Sequence, residues 1–117
     1  MSAEMTRTWI ELAPGVRRKT VAVGEKMMQV VVWFAKGAKV PQHAHVHEQI
    51  TYVLDGYLRL TVGEDAATSH DLRAGEVIHL PSNLPHGALA LEDTRVLDVF
   101  SPPREDWINR TDDYLRR

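Results

Sequence analysis

No cysteine occurs in the 117 residues, which excludes a disulfide framework, a thiolate metal site and a cysteine nucleophile. The same absence fits a reducing compartment. Long apolar runs are missing too. None approaches the ~20 residues that a membrane-spanning helix needs, and the amino-terminal M-S-A-E-M-T-R-T-W has no apolar signal core. There is no basic stripe: the formal charge is −2 with histidine neutral, and both signs are scattered along the chain, which argues against a nucleic-acid partner. No internal repeat, low-complexity tract or helical period competes for the first hundred residues. These absences leave one domain spanning residues 1–117, expected to be cytoplasmic and long enough to bury a core without covalent staples.

What is present is a series of short apolar runs separated by turn signals. Trp9, Ile10 and Leu12 can anchor a short edge segment before Pro14-Gly15. Val16 to Val23 reads as a strand with a solvated first half. Met27 to Phe34 is apolar on both alternating faces, as expected of a strand covered on two sides. Ile50 to Leu54 and Tyr57 to Val62 flank Asp55-Gly56, a strong signal for a hairpin turn. Ser69 to Leu72, Glu76 to Leu80, Gly87 to Leu91 and Thr94 to Phe100 complete the series. About eight short strands at this spacing predict an all-β sandwich or barrel. After Ser101-Pro102-Pro103 the tail can form a short helix with Trp107, Thr111 and Tyr114 on one side, packed on the barrel or on a neighbouring subunit.

The chemistry concentrates between Gly37 and Gly56, where His43, His45 and His47 stand within five residues and Gln49 follows. On a strand, His43 and His45 would share a face and present two imidazoles to one metal ion. A further ligand must come from elsewhere, and His86, delivered by the proline-braced loop Pro81-Ser82-Asn83-Leu84-Pro85, is the leading candidate. His70 and His79 are expected in ordinary structural roles, and Glu48 as a solvated neighbour.

Two patterns carry a resemblance. The first is Gly37, five residues, His43-x-His45, three residues, Gln49, six residues, Gly56; the second is Gly75, five residues, Pro81-x-Asn83, two residues, His86. Together they resemble the two signature motifs of the cupin superfamily, which implies a small antiparallel jelly-roll barrel with a metal inside. The first motif normally carries Glu where Gln49 stands. The second usually has Gly at 83 and Asn at 90, where this chain has Asn83 and Ala90; Asn83 is a mild change because Asn tolerates positive φ. Three neutral imidazoles and an amide leave the charge of a divalent ion uncompensated, so the centre should attract a carboxylate or a developing enolate. The family pattern skips His47, which implies a bend after His45 and a supporting or solvent-facing role for His47.

The stretch L-D-V-F-S-P-P-R-E-D, Leu97 to Asp106, is similar to the L-D-V-F-x-P-x-R-E-D segment of KdgF-type pectin-degradation cupins. The likeness runs from about Trp9 to Trp107. It implies His43, His45, Gln49 and His86 as metal ligands and Asp98, Phe100 and Arg104 as the other active-site residues. It also implies conversion of 4,5-unsaturated monouronates to the linear 5-keto-4-deoxyuronate, with an anionic sugar as partner and a homodimer as assembly. The ligand set suits Zn, Ni, Fe, Co or Mn. Spacing alone leaves Asp98 either inside the barrel or outward between buried neighbours, and leaves Arg104 either folded over the mouth or solvated. A metal-dependent dioxygenase and a non-catalytic sugar-acid-binding cupin are the other readings, and Gln49 counts against the dioxygenase because the site lacks an anionic ligand.

Overall fold

The structure, a computed structural model, describes residues 8–108. Its strands are β1 (Ile10–Ala13), β2 (Val16–Val23), β3 (Met28–Phe34), β4 (Lys39–His43), β5 (Glu48–Asp55), β6 (Tyr57–Val62), β7 (Thr68–Arg73), β8 (Val77–Leu80), β9 (His86–Ala90) and β10 (Thr94–Ser101). A 3₁₀ turn at Glu64–Ala66 and one helical turn, α1 (Glu105–Ile108), accompany them. The strands form a six-stranded sheet in the order β1-β2-β3-β10-β5-β8 and a four-stranded sheet in the order β4-β9-β6-β7. Every pairing is antiparallel. Val30, Val32, Val53 and Val96 from the larger sheet meet Val40, Leu58, Leu60 and Ala90 from the smaller one in a shared apolar core. This is the expected all-β jelly roll.

Period-two alternation explains which side chains enter that core. On β10, Thr94, Val96, Asp98 and Phe100 are buried while Arg95, Leu97, Val99 and Ser101 are more exposed. β3 buries Met28, Val30, Val32 and Phe34, but its other face is not covered as expected: Val31 and Trp33 are half-buried, and the Arg17 guanidinium lies 4.7 Å over the Trp33 ring. The apolar character of that outer face therefore reflects partial shielding by a basic side chain rather than a second layer. On β2 the expected solvated first half supplies the buried Val16, Arg18 and Thr20, whereas Val21 and Ala22 are exposed. A charge can enter there because Arg18 stacks 4.8 Å from the Trp107 ring and donates to the Trp107 carbonyl at 3.3 Å. Trp107 itself is buried edge-on against Phe100, at 5.0 Å between centroids. The helical tail is thus present as far as α1; Thr111 and Tyr114 lie outside the described residues.

Asp55-Gly56 does not make a hairpin. β5 and β6 belong to different sheets, so the chain turns a corner there and passes from one layer to the other. Gly56 has φ +100°, and a Cβ on it would collide with the Asp93 carbonyl and with Thr94 Oγ1. The threonine is what closes the corner: Tyr57 N donates to Thr94 Oγ1 at 3.0 Å, and that hydroxyl reaches the Glu92 carbonyl at 2.8 Å. The glycine is required by close approach as much as by its dihedral. Gly56→Ala should therefore cost about 2–4 kcal/mol, from strain and overpacking combined. Urea unfolding would measure it, and a loss near zero would mean that the corner relaxes freely.

Candidate metal centre

The smaller sheet delivers two of the histidines. His43 ends β4 and His86 begins β9, and the two are direct partners across the antiparallel pair. Close approach of the strands is secured at Gly87, where a Cβ would stand 2.9 Å from Gln42 Oε1 and 3.0 Å from the Val40 carbonyl. His45 does not share a strand with His43, contrary to expectation. Regular β4 geometry stops at His43, and His45 sits in the following loop, held by a 2.7 Å hydrogen bond from Asn83 N to its carbonyl. Asn83 adopts φ +65°, as its type permits. The bend expected after His45 falls at Val46–His47. The three rings still converge: centroids are 4.6 Å apart for His43–His86, 4.9 Å for His45–His86 and 5.5 Å for His43–His45. One ring nitrogen from each lies within 4.8 Å of the other two.

Each of these imidazoles is fixed by a backbone carbonyl two residues away. His43 Nδ1 donates to Pro41 O at 2.8 Å, His45 Nδ1 to His47 O at 3.0 Å, and His86 Nδ1 to Leu84 O at 2.9 Å. A carbonyl can only accept, so Nδ1 carries the proton in all three and Nε2 presents its lone pair. Metal-binding histidines are commonly fixed in this way, the far ring nitrogen donating to a carbonyl. His45 Nε2 is buried with no hydrogen-bond partner among the described residues, an arrangement that an ion would satisfy. Burial, with further repulsion from neighbouring imidazoles and Arg104, pulls His43 down to about 4 and His45 down to about 3; burial also lowers His86. All three imidazoles are neutral at physiological pH. The residues fit a divalent transition metal.

The larger sheet supplies the remaining groups. β10 lies beside β5, pairing Gln49 with Phe100 and Thr51 with Asp98. Gln49 Nε2 donates to Thr51 Oγ1 at 2.9 Å, and Thr51 Oγ1 donates to Asp98 Oδ1 at 2.6 Å. The amide nitrogen is thereby spoken for, which leaves the Gln49 carbonyl oxygen as the atom able to bind an ion. Asp98 points inward and is 7 % exposed, which resolves the open alternative in favour of the barrel interior. Burial pushes its carboxyl up to about 6, against the opposing pull of the Thr51 hydroxyl and the Arg104 charge. Arg104 is also inside rather than solvated, at 1 % exposure, with its guanidinium 4.0 Å from the Trp107 ring and 5.1 Å from Phe100. One cavity is lined by His43, Gln49, His86, Asp98, Phe100 and Arg104 together.

His45 stands against Phe100 at 5.8 Å between centroids. His47 contributes its carbonyl to His45, a supporting role, and its own ring Nδ1 has no hydrogen-bond partner among the described residues. His79 is exposed and pairs with Glu48, so Glu48 is not merely solvated; His70 is exposed on β7. Three contributors escape a reading of spacing. Thr51 links Gln49 to Asp98, Trp107 stacks beneath Arg104, and Asp106 receives two hydrogen bonds from Arg104 at 3.1 and 2.8 Å. Only Thr51 had a usable signal: it follows Gln49 at i+2 on a strand, hence on the same face.

A two-layer jelly roll with histidines converging between its sheets defines a cupin. The cupin domain model matches residues 30–100, and the chain belongs to the cupin family. Among curated proteins it is 36 % identical over 102 residues to pectin degradation protein KdgF of Dickeya dadantii (strain 3937), covering 86 % of this chain and 90 % of that one. The solved structure of KdgF from Halomonas sp. superposes with TM-score 0.78 at 38 % identity, covering 85 % of this chain and 89 % of the other. An RmlC-like cupin from Shewanella frigidimarina NCIMB 400 superposes with TM-score 0.79 at 32 % identity, covering 92 % and 93 %. Among the described residues, no helix is long and apolar enough to cross a membrane.

The shifted groups give the metal-free protein an opposed pH response. His43, His45 and His86 are held neutral when folded, so their contribution is complete above about 6.5 and is lost as pH falls through about 4 for His43 and about 3 for His45. Asp98 runs the other way: its contribution is complete below the ordinary 3.8 and is lost as pH rises through about 6, a difference on the order of 3 kcal/mol. Asp98→Asn should therefore raise the melting temperature of metal-free protein at pH 7 and leave it nearly unchanged at pH 4. An equal shift at both pH values would mean that ionisation of Asp98 is not the cause. Zinc, nickel or cobalt should raise the melting temperature of the wild type in a concentration-dependent way, and His86→Ala should abolish that rise.

Proposed function

We propose that the chain is a metal-dependent enzyme that opens the ring of 4,5-unsaturated monouronates and converts them to the linear 5-keto-4-deoxyuronate. The observation that carries this reading is one cavity lined by His43 and His86 of the histidine cluster, a buried carboxyl and a buried arginine. The similarity to KdgF supports it. His43, His45, His86 and the Gln49 carbonyl oxygen would hold the metal, which when bound supplies Lewis-acid stabilisation of a developing oxyanion. Zn, Ni, Fe, Co and Mn all suit such ligands.

The residues of the chain account for the rest. Opening requires loss of the O1 proton, formation of the C1 carbonyl and cleavage of the bond between C1 and the ring oxygen, which leaves as the enol on C5. Protonation of C4 then gives the C5 ketone. No atom is gained or lost overall, so a single proton-carrying group is sufficient. Asp98, with a carboxyl near 6 and a hydroxyl donor from Thr51 to hold it, accepts the O1 proton and returns one to C4. Arg104 binds the uronate carboxylate as a planar fork. Phe100, at the cavity wall, gives the sugar ring an apolar face and keeps water from the enol.

Metal-loaded protein should accelerate the loss of ultraviolet absorbance of unsaturated galacturonate over a protein-free control, since the conjugated double bond disappears on ketonisation. Asp98→Asn should keep its metal and lose about 10²–10⁴-fold in turnover. Full activity in that variant would remove Asp98 from the mechanism. Arg104→Lys should raise KM about tenfold, because a point charge replaces a bidentate fork. Tight uronate binding without turnover by the wild type would instead identify a sugar-acid-binding cupin, and oxygen consumption with Fe(II) a dioxygenase.

A further inference from the structure

We propose that Asp106 is a positioning residue that aims Arg104 at the carboxylate of the substrate; this rests on the uronate reading above. Arg104 lines the cavity, and Asp106 holds its guanidinium without lining the cavity itself. The grip is bidentate: Nε to Oδ1 at 3.1 Å and Nη2 to Oδ2 at 2.8 Å. The Arg104 side chain is 2 % exposed and that of Asp106 22 %, which places the pair across the boundary between cavity wall and surface.

Stacking alone would not orient the arginine. The Trp107 ring at 4.0 Å and Phe100 at 5.1 Å fix the plane of the guanidinium, yet a plane on an aromatic face can still slide and rotate within itself. A carboxylate bound through two parallel hydrogen bonds removes that freedom. The backbone sets the spacing between the partners: Trp107 N and Ile108 N both donate to the Arg104 carbonyl, at 3.2 and 3.0 Å, which closes the turn that carries Asp106. The arrangement also offsets charge. A buried cation near three imidazoles that would hold a divalent ion is repelled by that ion, and an anion hydrogen-bonded to it lowers the repulsion. Asp106 thus holds Arg104 aimed into the cavity before any substrate arrives.

A role confined to the arginine–carboxylate contact differs measurably from a role in holding the turn. Metal-loaded wild type, Asp106→Ala and the isosteric Asp106→Asn are compared on unsaturated galacturonate and on its methyl ester, which lacks the anionic oxygen pair. The ratio of kcat/KM for acid over ester should fall about tenfold in Asp106→Ala and by a smaller factor in Asp106→Asn. The ratio is taken within one protein, so partial misfolding cancels. Equal losses on acid and ester would overturn the proposal, since Asp106 would then only support the turn. Calorimetry with saturated galacturonate supplies a readout independent of turnover, and its affinity should also drop about tenfold in Asp106→Ala. Unchanged affinity overturns the proposal. If the wild type does not accelerate the reaction but the variant still loses galacturonate affinity, the enzymatic reading falls and the positioning role stands. If the wild type neither reacts nor binds galacturonate, both fall.

Discussion

The antiparallel pairing of β10 with β5 is the constraint on which the site depends. It sets Asp98 opposite Thr51 and Phe100 opposite Gln49, so one register decides four side chains of the cavity at once. A slip of one residue would turn Asp98 and Phe100 to the outer face and bring Leu97 and Val99 inward. The register is held because Val96 and Phe100 are buried on either side of Asp98 in the shared core. β10 is also flanked by β3 on its other side, which leaves it central in the six-stranded sheet. The buried carboxyl therefore rides on a strand that the hydrophobic effect has already positioned.

The two sheets divide the labour. The smaller sheet and its loops fix neutral imidazoles, each by a carbonyl two residues away. The larger sheet contributes Gln49 and the carboxyl, joined through Thr51. Because every candidate metal ligand is neutral, the positive charge of an ion would be balanced chiefly by a bound anion. Arg104, three residues past the end of β10 and paired with Asp106, would add to that pull. Desolvation runs through all of this: it holds the histidines unprotonated and Asp98 close to the pH at which it can both give and take a proton.

Much of this was legible in the residues, for reasons that differ between elements. Apolar alternation over Tyr57–Val62 and Thr94–Phe100 marks strands because one face is buried, and β6 and β10 follow it closely. The candidate ligands were readable because their spacing matches the cupin motifs, and the structure brings His43, His45 and His86 together. Asp55-Gly56 misled because positive φ serves a corner between sheets as well as a hairpin, and local sequence does not distinguish them. Arg18 misled because a long cation enters a core only when a distant aromatic receives it, and Trp107 is 89 residues away. The grip of Asp106 on Arg104 spans only two residues, yet it depends on the turn that begins at Glu105.

Turnover of unsaturated galacturonate by metal-loaded protein in D2O, followed by proton NMR against a protein-free control, bears most directly on whether this cavity performs ring opening and C4 protonation. The predicted result is a faster conversion with deuterium delivered to one face of C4, as a single fixed proton donor requires. A rate equal to the control, or deuterium spread evenly over both faces from the first turnovers, would contradict it.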